Sequence, residues 1–584
     1  MIRLSLLGLS FLFYFFCNGQ IDTRKQPYSF DIINDKESKK FFIESESRNS
    51  TGITDPPEGP LRTMAEWEEL DGVIITWASE FTILAQIVDA VKEEANVYIV
   101  CSNPSQVQNF LDQVSVDWSE NVFFLEEPFN TIWVRDYGPN SVYQNDVDSL
   151  ILVDWIYNRP ARVRDDGLPE AIADDLELSV FATVTDPYRF VGTGGNFMSD
   201  GMGKGFSSEL ILEENPMLGL DGVNDVLEDF MGIEDYIKFD ALPFDVINHI
   251  DMHMKLLDEQ TIMVGKYPEG VADGPQIEAN IEYLLSNFTT SFGTPFKVVR
   301  MPMPPSFDGS YPNQGGDYRT YVNSLIVNKS ILIPTYEEQY DSTALRIWSE
   351  AMPGYNLVGI NCNAIIPRFG ALHCITKEVG VKEPLRIVHQ ERQCVENISE
   401  AFDISAVIQH REGIQEAIVH LKSNADSDYK SYPLTLTDPD TDTWSTSVSS
   451  IAEGIFNYEY YFTAVANNGK EMNSPMVAPA GVYNVEDCLF SSTKIPLDES
   501  PEFLDIFPNP ASAITCIPLE LNKSRDIELS LHDMLGRKVQ IIFQGQAPIG
   551  ASKYFFDAGK LQAGIYLVKL SDKASTVFQK VVVN

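Results

Sequence analysis

The sequence predicts an α/β fold over its first two thirds, followed by two all-β units. Three observations carry this. Buried-strand runs alternate with helical apolar spacing as far as about Gln393. From about Ile398 the pattern shifts to short alternating segments split by Asp, Asn, Gly and Pro clusters. A break over Ser491 to Pro501 then leads into a last stretch of β-type alternation. At 584 residues the chain is also too long for a single core.

The elements follow in order. Arg3, the apolar run Leu4 to Phe16 and the break Asn18-Gly19-Gln20 read as a secretory signal peptide over 1–20, since the run is too short to span a bilayer. Residues 21–60 are polar and suit a linker or pro-segment. Gly72 to Trp77 reads as a strand, Phe81 to Glu94 as a helix through Leu84, Ile87, Val88 and Val91, and Asn96 to Val100 as a strand. Pro104 to Val114 suits a short helix and Val122 to Leu125 a strand. Similar alternation recurs at Leu150 to Trp155, Ile262 to Gly265, Ile277 to Ser291 and Leu325 to Ile333, which defines an α/β region over 61–395.

Over 396–487, the segments Phe402 to His410, Ala417 to Lys422, Thr443 to Val448 and Tyr458 to Ala466 have the size and pattern of an immunoglobulin-like β-sandwich. Residues 488–503 read as a linker and 504–584 as a final β module. No later stretch is long and apolar enough for a transmembrane helix.

A hydrophobic content of 44% is that of a folded protein, and a net charge of -43 argues against nucleic acid or anionic membranes as partners. Acidic residues run through every region, which fits solubility or a salty setting better than local steering. Seven cysteines are too few and scattered for a disulfide scaffold; Cys362 with Cys394 is a candidate bridge.

The chemistry is expected at Phe369-Gly-Ala-Leu-His-Cys-Ile-Thr376. An exported protein seldom keeps a free thiol without a use, so Cys374 is the candidate nucleophile. A thiol needs a cationic neighbour or a proton acceptor to become a thiolate at neutral pH. His373 is adjacent, and on an extended chain its side chain points away from Cys374. His249 is the better partner: His249 and Asp251 are two apart and share one face of a strand, so Asp251 would bind a cation while His249 moves protons. Asp136 would supply a second carboxylate, and two acids would grip the planar fork of a guanidinium and leave its carbon open to sulfur. Trp133 would wall the slot by cation–π contact, and Asn323 would hold the tetrahedral intermediate or orient a neighbour.

Taken together, these pieces resemble the guanidine-group modifying superfamily, and within it the agmatine deiminase and Porphyromonas-type bacterial peptidylarginine deiminase family. The matching pieces are Trp133-Val-Arg-Asp-Tyr-Gly-Pro139, Tyr157-Asn-Arg-Pro160, Gly194-Gly-Asn-Phe-Met-Ser-Asp-Gly201, Ile247-Asn-His-Ile-Asp251, Asn323-Ser-Leu-Ile326 and Ala371-Leu-His-Cys374. The resemblance implies a five-bladed ββαβ propeller (the pentein fold) and a hydrolase acting on C–N bonds of linear amidines. It implies Cys374 as nucleophile, His249 as general acid/base, Asp136 and Asp251 as clamps, Asn323 in the site, and no cofactor or metal. Trp133, Ile247, Arg159 and Arg162 are further substrate-binding candidates. Family members that take peptides carry Asn-Arg-Pro-Arg, whose two arginines grip a terminal carboxylate. Arg159 matches the first arginine here, Ala161 stands at the second, and Arg162 follows one residue later.

The last eighty residues contain Phe507-Pro-Asn-Pro510, Asp533-Met-Leu-Gly-Arg-Lys-Val539 and Gly564-Ile-Tyr-Leu-Val-Lys569. They resemble the C-terminal sorting domain of the type IX secretion system, which implies that machinery as a partner and a secreted or surface location. With it, the layout is similar to secreted enzymes acting on arginine-containing peptides or proteins. Three alternatives stay open: agmatine or free arginine as substrate, a metal-dependent hydrolase using His249, Asp251 and His253, and a non-catalytic surface adhesin.

Overall fold

The computed structural model describes residues 50–584, apart from 160, 393, 396–400, 424–425, 449–456, 488–501, 504–505, 507–508, 512–513, 522–523, 535, 548–549, 573–575 and 584. The expected signal peptide and most of the expected linker over 21–60 lie outside the described residues. The end of that linker is docked: Ile53 exchanges backbone hydrogen bonds with Val180 and Ala182, and Ser50 and Thr51 donate to the Glu170 carboxylate.

Among the described residues of 61–380, five sheets of three or four strands share one plan, in which a strand pairs antiparallel with the next, a helix crosses over, and a parallel strand follows; Ile156–Tyr157 and Val191–Gly192 make a separate parallel pair. In one sheet Asn140–Gln144 pairs with Ser149–Asp154, helix Leu168–Asp175 crosses, and Val180–Ala182 completes the set. Met198–Ser199, Lys204–Ser208 and Asp235–Phe239 make a second, around helix Gly219–Met231. Met254–Leu256, Thr261–Lys266 and Lys297–Pro302 make a third, around Gly274–Asn287. Leu325–Val327, Ser330–Thr335 and Asn356–Asn361 make a fourth, around Glu338–Ala351. The fifth joins the two ends of the region: Lys377–Gly380 pairs antiparallel with Leu70–Thr76, which runs parallel to Asn96–Cys101 and then Val122–Glu126.

Each crossover helix buries an apolar stripe on its sheet. Helix Phe81–Val91 turns Ile83, Leu84, Ile87, Val88 and Val91 inward at i, i+1, i+4, i+5 and i+8, the spacing of one helix face. The central strands are apolar on both faces, as in Val73, Ile74 and Ile75, because helices cover one side and the neighbouring sheets the other.

The strands read from the sequence at 72–77, 96–100, 122–125 and 150–155 are present to within about two residues at each end. The run Leu325 to Ile333, where the alternation recurs, is a hairpin. Beyond it, Arg386–Val388, Phe402–Gln409, Thr443–Val448 and Thr435–Asp438 form one sheet, and a second is built on Ile414–Ser423 and Asn457–Ala466. Tyr458, Tyr460, Phe462, Ala464 and Ala466 alternate into the core between them. In the last eighty residues a four-stranded sheet and a three-stranded sheet enclose a third core. There the Asp533 carboxylate accepts from Arg537 N at 2.9 Å and Arg537 Nε at 2.7 Å, so one Asp both closes the turn and holds its Arg. Asn509 imitates a strand neighbour, accepting from Val582 N and donating to Lys580 O.

Among the described residues Cys101, Cys362, Cys374 and Cys516 are free and buried. The expected Cys362–Cys394 bridge is therefore absent, although Cys394 is itself disulfide-bonded. A free thiol is also a weaker marker of function here than the sequence reading assumed, because three other buried cysteines share it.

Candidate active site

The site residues share one address. Asp136 precedes the strand starting at Asn140, Asn196 the strand at Met198, His249 and Asp251 the strand at Met254, Asn323 the strand at Leu325, and Cys374 the strand at Lys377. Each repeat thus contributes the turn that enters its first strand, and the short helical turns at 134–137, 194–196, 250–252 and 373–375 touch one another. A short motif in each repeat suffices to build one centre because the sheets hold the turns in place.

Cys374 Sγ accepts from Asn323 Nδ2 at 3.2 Å and lies 3.5 Å from Asp251 Oδ2. Asn323 also accepts from the Ala371 and Cys374 amides at 3.1 and 3.4 Å, so its side chain fixes the turn that carries Cys374. His249 Nδ1 faces Asp136 Oδ1 at 3.5 Å. Asp136 Oδ1, Asp251 Oδ1 and His249 Nε2 are buried and find no hydrogen-bond partner among the described residues. Unpaired buried acceptors are costly, and two carboxylate oxygens with one imidazole nitrogen suit a ligand rich in N–H donors.

Two glycines make room for this arrangement. A Cβ on Gly195 would stand 2.5 Å from His249 Nδ1 and 3.0 Å from Asp136 Oδ1. A Cβ on Gly370 would stand 2.5 Å from a Trp133 ring carbon and 3.1 Å from Cys374 Sγ.

Burial raises the Cys374 thiol well above its ordinary pKa, and the nearby charges of Asp251 and Asp136 push the same way. His373, one residue away, turns its ring away from the sulfur. Its Nδ1 meets Asp251 Oδ2 at 2.7 Å and its Nε2 meets Glu66 Oε1 at 2.8 Å. Burial works against ionisation of Asp251, but its hydrogen bond to His373 and the surrounding cations hold it below the usual carboxylate range.

A buried ion network lies behind this wall. Arg135 clasps Glu378 with two nitrogens at 2.9 and 2.5 Å and donates to the His373 carbonyl at 3.2 Å. Lys255 pairs with Glu66. The sequence reading passed over Glu66, Arg135, Lys255 and Glu378. Only Lys255 carried a local signal, as a charged residue between Met254 and Leu256 in an otherwise apolar strand, since a buried charge needs a partner.

Several expectations need correction. His249 and Asp251 do not share a strand face. Ile250–Met252 is a 3-10 turn with His249 just before it, and at three residues per turn the two side chains diverge, one to Asp136 and one to Cys374. His249, Asp251 and His253 do not converge as a metal-binding set among the described residues. Trp133 is buried, and its ring already carries the Arg368 guanidinium at 5.3 Å. Arg162 donates to the Tyr157 hydroxyl at 2.8 Å, and Arg159 acts on the same phenol, which also feels Asp136. Ile247 is half-buried against the main core, its N–H bonded to Asp245 Oδ1 at 3.0 Å.

A model of the Porphyromonas-type peptidyl-arginine deiminase family matches residues 62–379, more than half of the chain. The chain belongs to that family. It is accordingly a hydrolase of C–N bonds in linear amidines, acting on a guanidino group. A model of the secretion system C-terminal sorting domain matches residues 505–584, which supports export to the cell surface or the medium. Among curated relatives, the protein named "Putative agmatine deiminase" of Lactococcus lactis is 26% identical over 56% of this chain and 97% of its own length. Its namesake from Streptococcus mutans is 28% identical over 50% of this chain and 85% of its own length. A solved X-ray structure described in the same words is 22% identical, with a TM-score of 0.50 over 56% of this chain and 100% of that one, and this likeness concerns the fold alone. Among the described residues no helix is long and apolar enough to cross a membrane.

Proposed function

We propose that this protein is a secreted peptidyl-arginine deiminase, converting arginine side chains of peptides or proteins to citrulline with release of ammonia. The observation that carries the reading is the convergence near one thiol of two carboxylates, each with a buried oxygen that finds no hydrogen-bond partner among the described residues. Asp136 and Asp251 would take the guanidinium's N–H groups, and its positive charge would offset the two acids that hold Cys374 as a thiol. Substrate binding would then favour the thiolate, which adds to the guanidinium carbon. His249 would carry the proton to the departing ammonia. Water would hydrolyse the amidino-thioether, giving citrulline and regenerating the thiol.

The peptide preference is supported by the sorting domain, which suits substrates met outside the cell. Agmatine is the second reading, favoured by the names of the curated relatives. We also assign the five repeats to a five-bladed propeller, the two sheets that begin at Arg386–Val388 and Cys394–Val395 to an immunoglobulin-like sandwich, and residues 1–20 to a signal peptide.

The test is a colorimetric assay of citrulline from arginyl peptides beside carbamoylputrescine from agmatine, with wild type and Cys374→Ala. Citrulline from peptides, lost in Cys374→Ala, is expected. Turnover of agmatine alone would reject the peptide reading. Undiminished turnover by Cys374→Ala would reject the nucleophile.

A further inference from the structure

His373 has no solvent-exposed side-chain surface, and each ring nitrogen meets a carboxylate: Asp251 Oδ2 at 2.7 Å and Glu66 Oε1 at 2.8 Å. A neutral imidazole carries one donor and one acceptor nitrogen, and an ionised carboxylate only accepts. A neutral ring would therefore set a lone pair against a carboxylate oxygen at hydrogen-bond distance. Only a ring with a proton on both nitrogens donates to both partners.

The surroundings agree. Glu66 is held well below the ordinary carboxylate range: burial opposes this, and His373, Lys255 and Arg135 overcome it. Arg135 stands 3.8 Å from Glu66 and is itself neutralised by Glu378, with Lys377 3.8 Å from Glu378. On the far side of Asp251 stand Cys374 and His249. The ring reaches neither Sγ nor the space between the two aspartates, since both its nitrogens are already engaged.

We propose that His373 is a charged positioning residue, an imidazolium that pins Asp251 by Oδ2 so that Oδ1 faces the substrate and the carboxylate stays ionised while the enzyme works. The proposal rests on the reading of Asp251 as a guanidinium clamp. It explains why one oxygen of Asp251 is bound and the other unpartnered. It also explains how two acids stand beside a thiol in a buried site. One is compensated permanently by His373, and the other awaits the substrate's own charge. Glu66 then acts at one remove, holding the second proton on the ring, and Lys255 keeps Glu66 ionised.

The experiment has two arms on the full-length protein. In the first, protein labelled with 15N-histidine is observed by NMR between pH 6 and 9, and the His373 signals are identified by their loss in His373→Gln. Both ring nitrogens are expected to carry a proton in the wild type at pH 7, and one of them is expected to be bare in Glu66→Gln. A neutral ring at pH 7 in the wild type overturns the proposal, and this arm needs no turnover. In the second, the pH profile of kcat/KM is measured for Glu66→Gln and His373→Gln. The acid limb is expected to move up by about one pH unit, and KM to rise about tenfold with a smaller fall in kcat. A folded Glu66→Gln with the wild-type acid limb and KM overturns the positioning role, even if His373→Gln fails to fold. A doubly protonated ring in a wild type that turns over no guanidino substrate would instead overturn the clamp reading, and the positioning role with it.

Discussion

The two carboxylates of the site are chemically alike and structurally opposite. Asp251 has 1% of its side chain exposed, is bonded to His373, and stands before a network of Glu66, Lys255, Arg135 and Glu378. Asp136 keeps 13% exposure, and its ion-pair partner among the described residues is His249, at 3.5 Å. One wall of the site is set before any ligand arrives, and the other is left with a partner still to find. Preorganised charge costs no rearrangement at the moment of reaction, whereas an open wall lets the substrate's charge do part of the work.

The contrast breaks most sharply on activity. Asp136→Asn and Asp251→Asn are each expected to lower kcat/KM on an arginyl peptide by about 10²–10³-fold, since each would remove one charged contact to the reacting group under the proposed function. Equal activity of Asp136→Asn and wild type would leave the open wall without a role. A smaller effect is expected on thiol reactivity. With its pKa raised, Cys374 of the free enzyme should alkylate slowly with iodoacetamide at pH 7 and about tenfold faster for each unit of pH added. A pH-independent rate at neutral pH would mean that a thiolate already exists.

Stability separates the two walls next. Asp251→Asn takes one partner from a buried charged pair, and about 3–5 kcal/mol of stability should go with it. Asp136→Asn should cost under about 1 kcal/mol, because it breaks no hydrogen bond of that network. Thermal or urea unfolding of both variants decides this, and equal losses would erase the comparison. The pH dependence has a definite sign. Burial alone would raise Glu378, and Arg135 more than reverses this, so its folded pKa lies below its unfolded value. Its contribution is full above the unfolded value near ~4.3 and is lost as pH falls through the lower folded one. Urea midpoints should therefore drop between pH 5 and 3 in the wild type, with a shallower drop in Glu378→Gln.

The smallest expected effect lies at the rim. Arg159→Ala should raise KM a few-fold for peptides ending in arginine and leave kcat unchanged. Equal kinetics on free and amidated C-termini in the wild type would remove that role.

The legibility of the molecule follows the same divide. The strands at 72–77 and 96–100, the helix from Phe81 and the alternation at Tyr458 to Ala466 were readable because one residue's burial predicts that of its neighbours at a fixed period. Asp136, His249, Asp251, Asn323 and Cys374 were readable from motifs, and the structure gathers all five, though His249 and Asp251 diverge from a 3-10 turn instead of sharing a strand face. Glu66 and Glu378 were not readable. They are 312 residues apart in the chain, and nothing local to either predicts the other or Arg135 between them. His373 lies in a helical turn, where the alternation of an extended chain does not hold.

The amino-acid order alone determined the alternation of elements, the chemical types at the site and the export module, because each is written within a few neighbouring positions. Which carboxylate is pinned and which is left open was decided only by the tertiary structure. Charges from distant turns meet there at hydrogen-bond distance, and in a buried setting a charge must find its counterion across space, whatever separates the two along the chain.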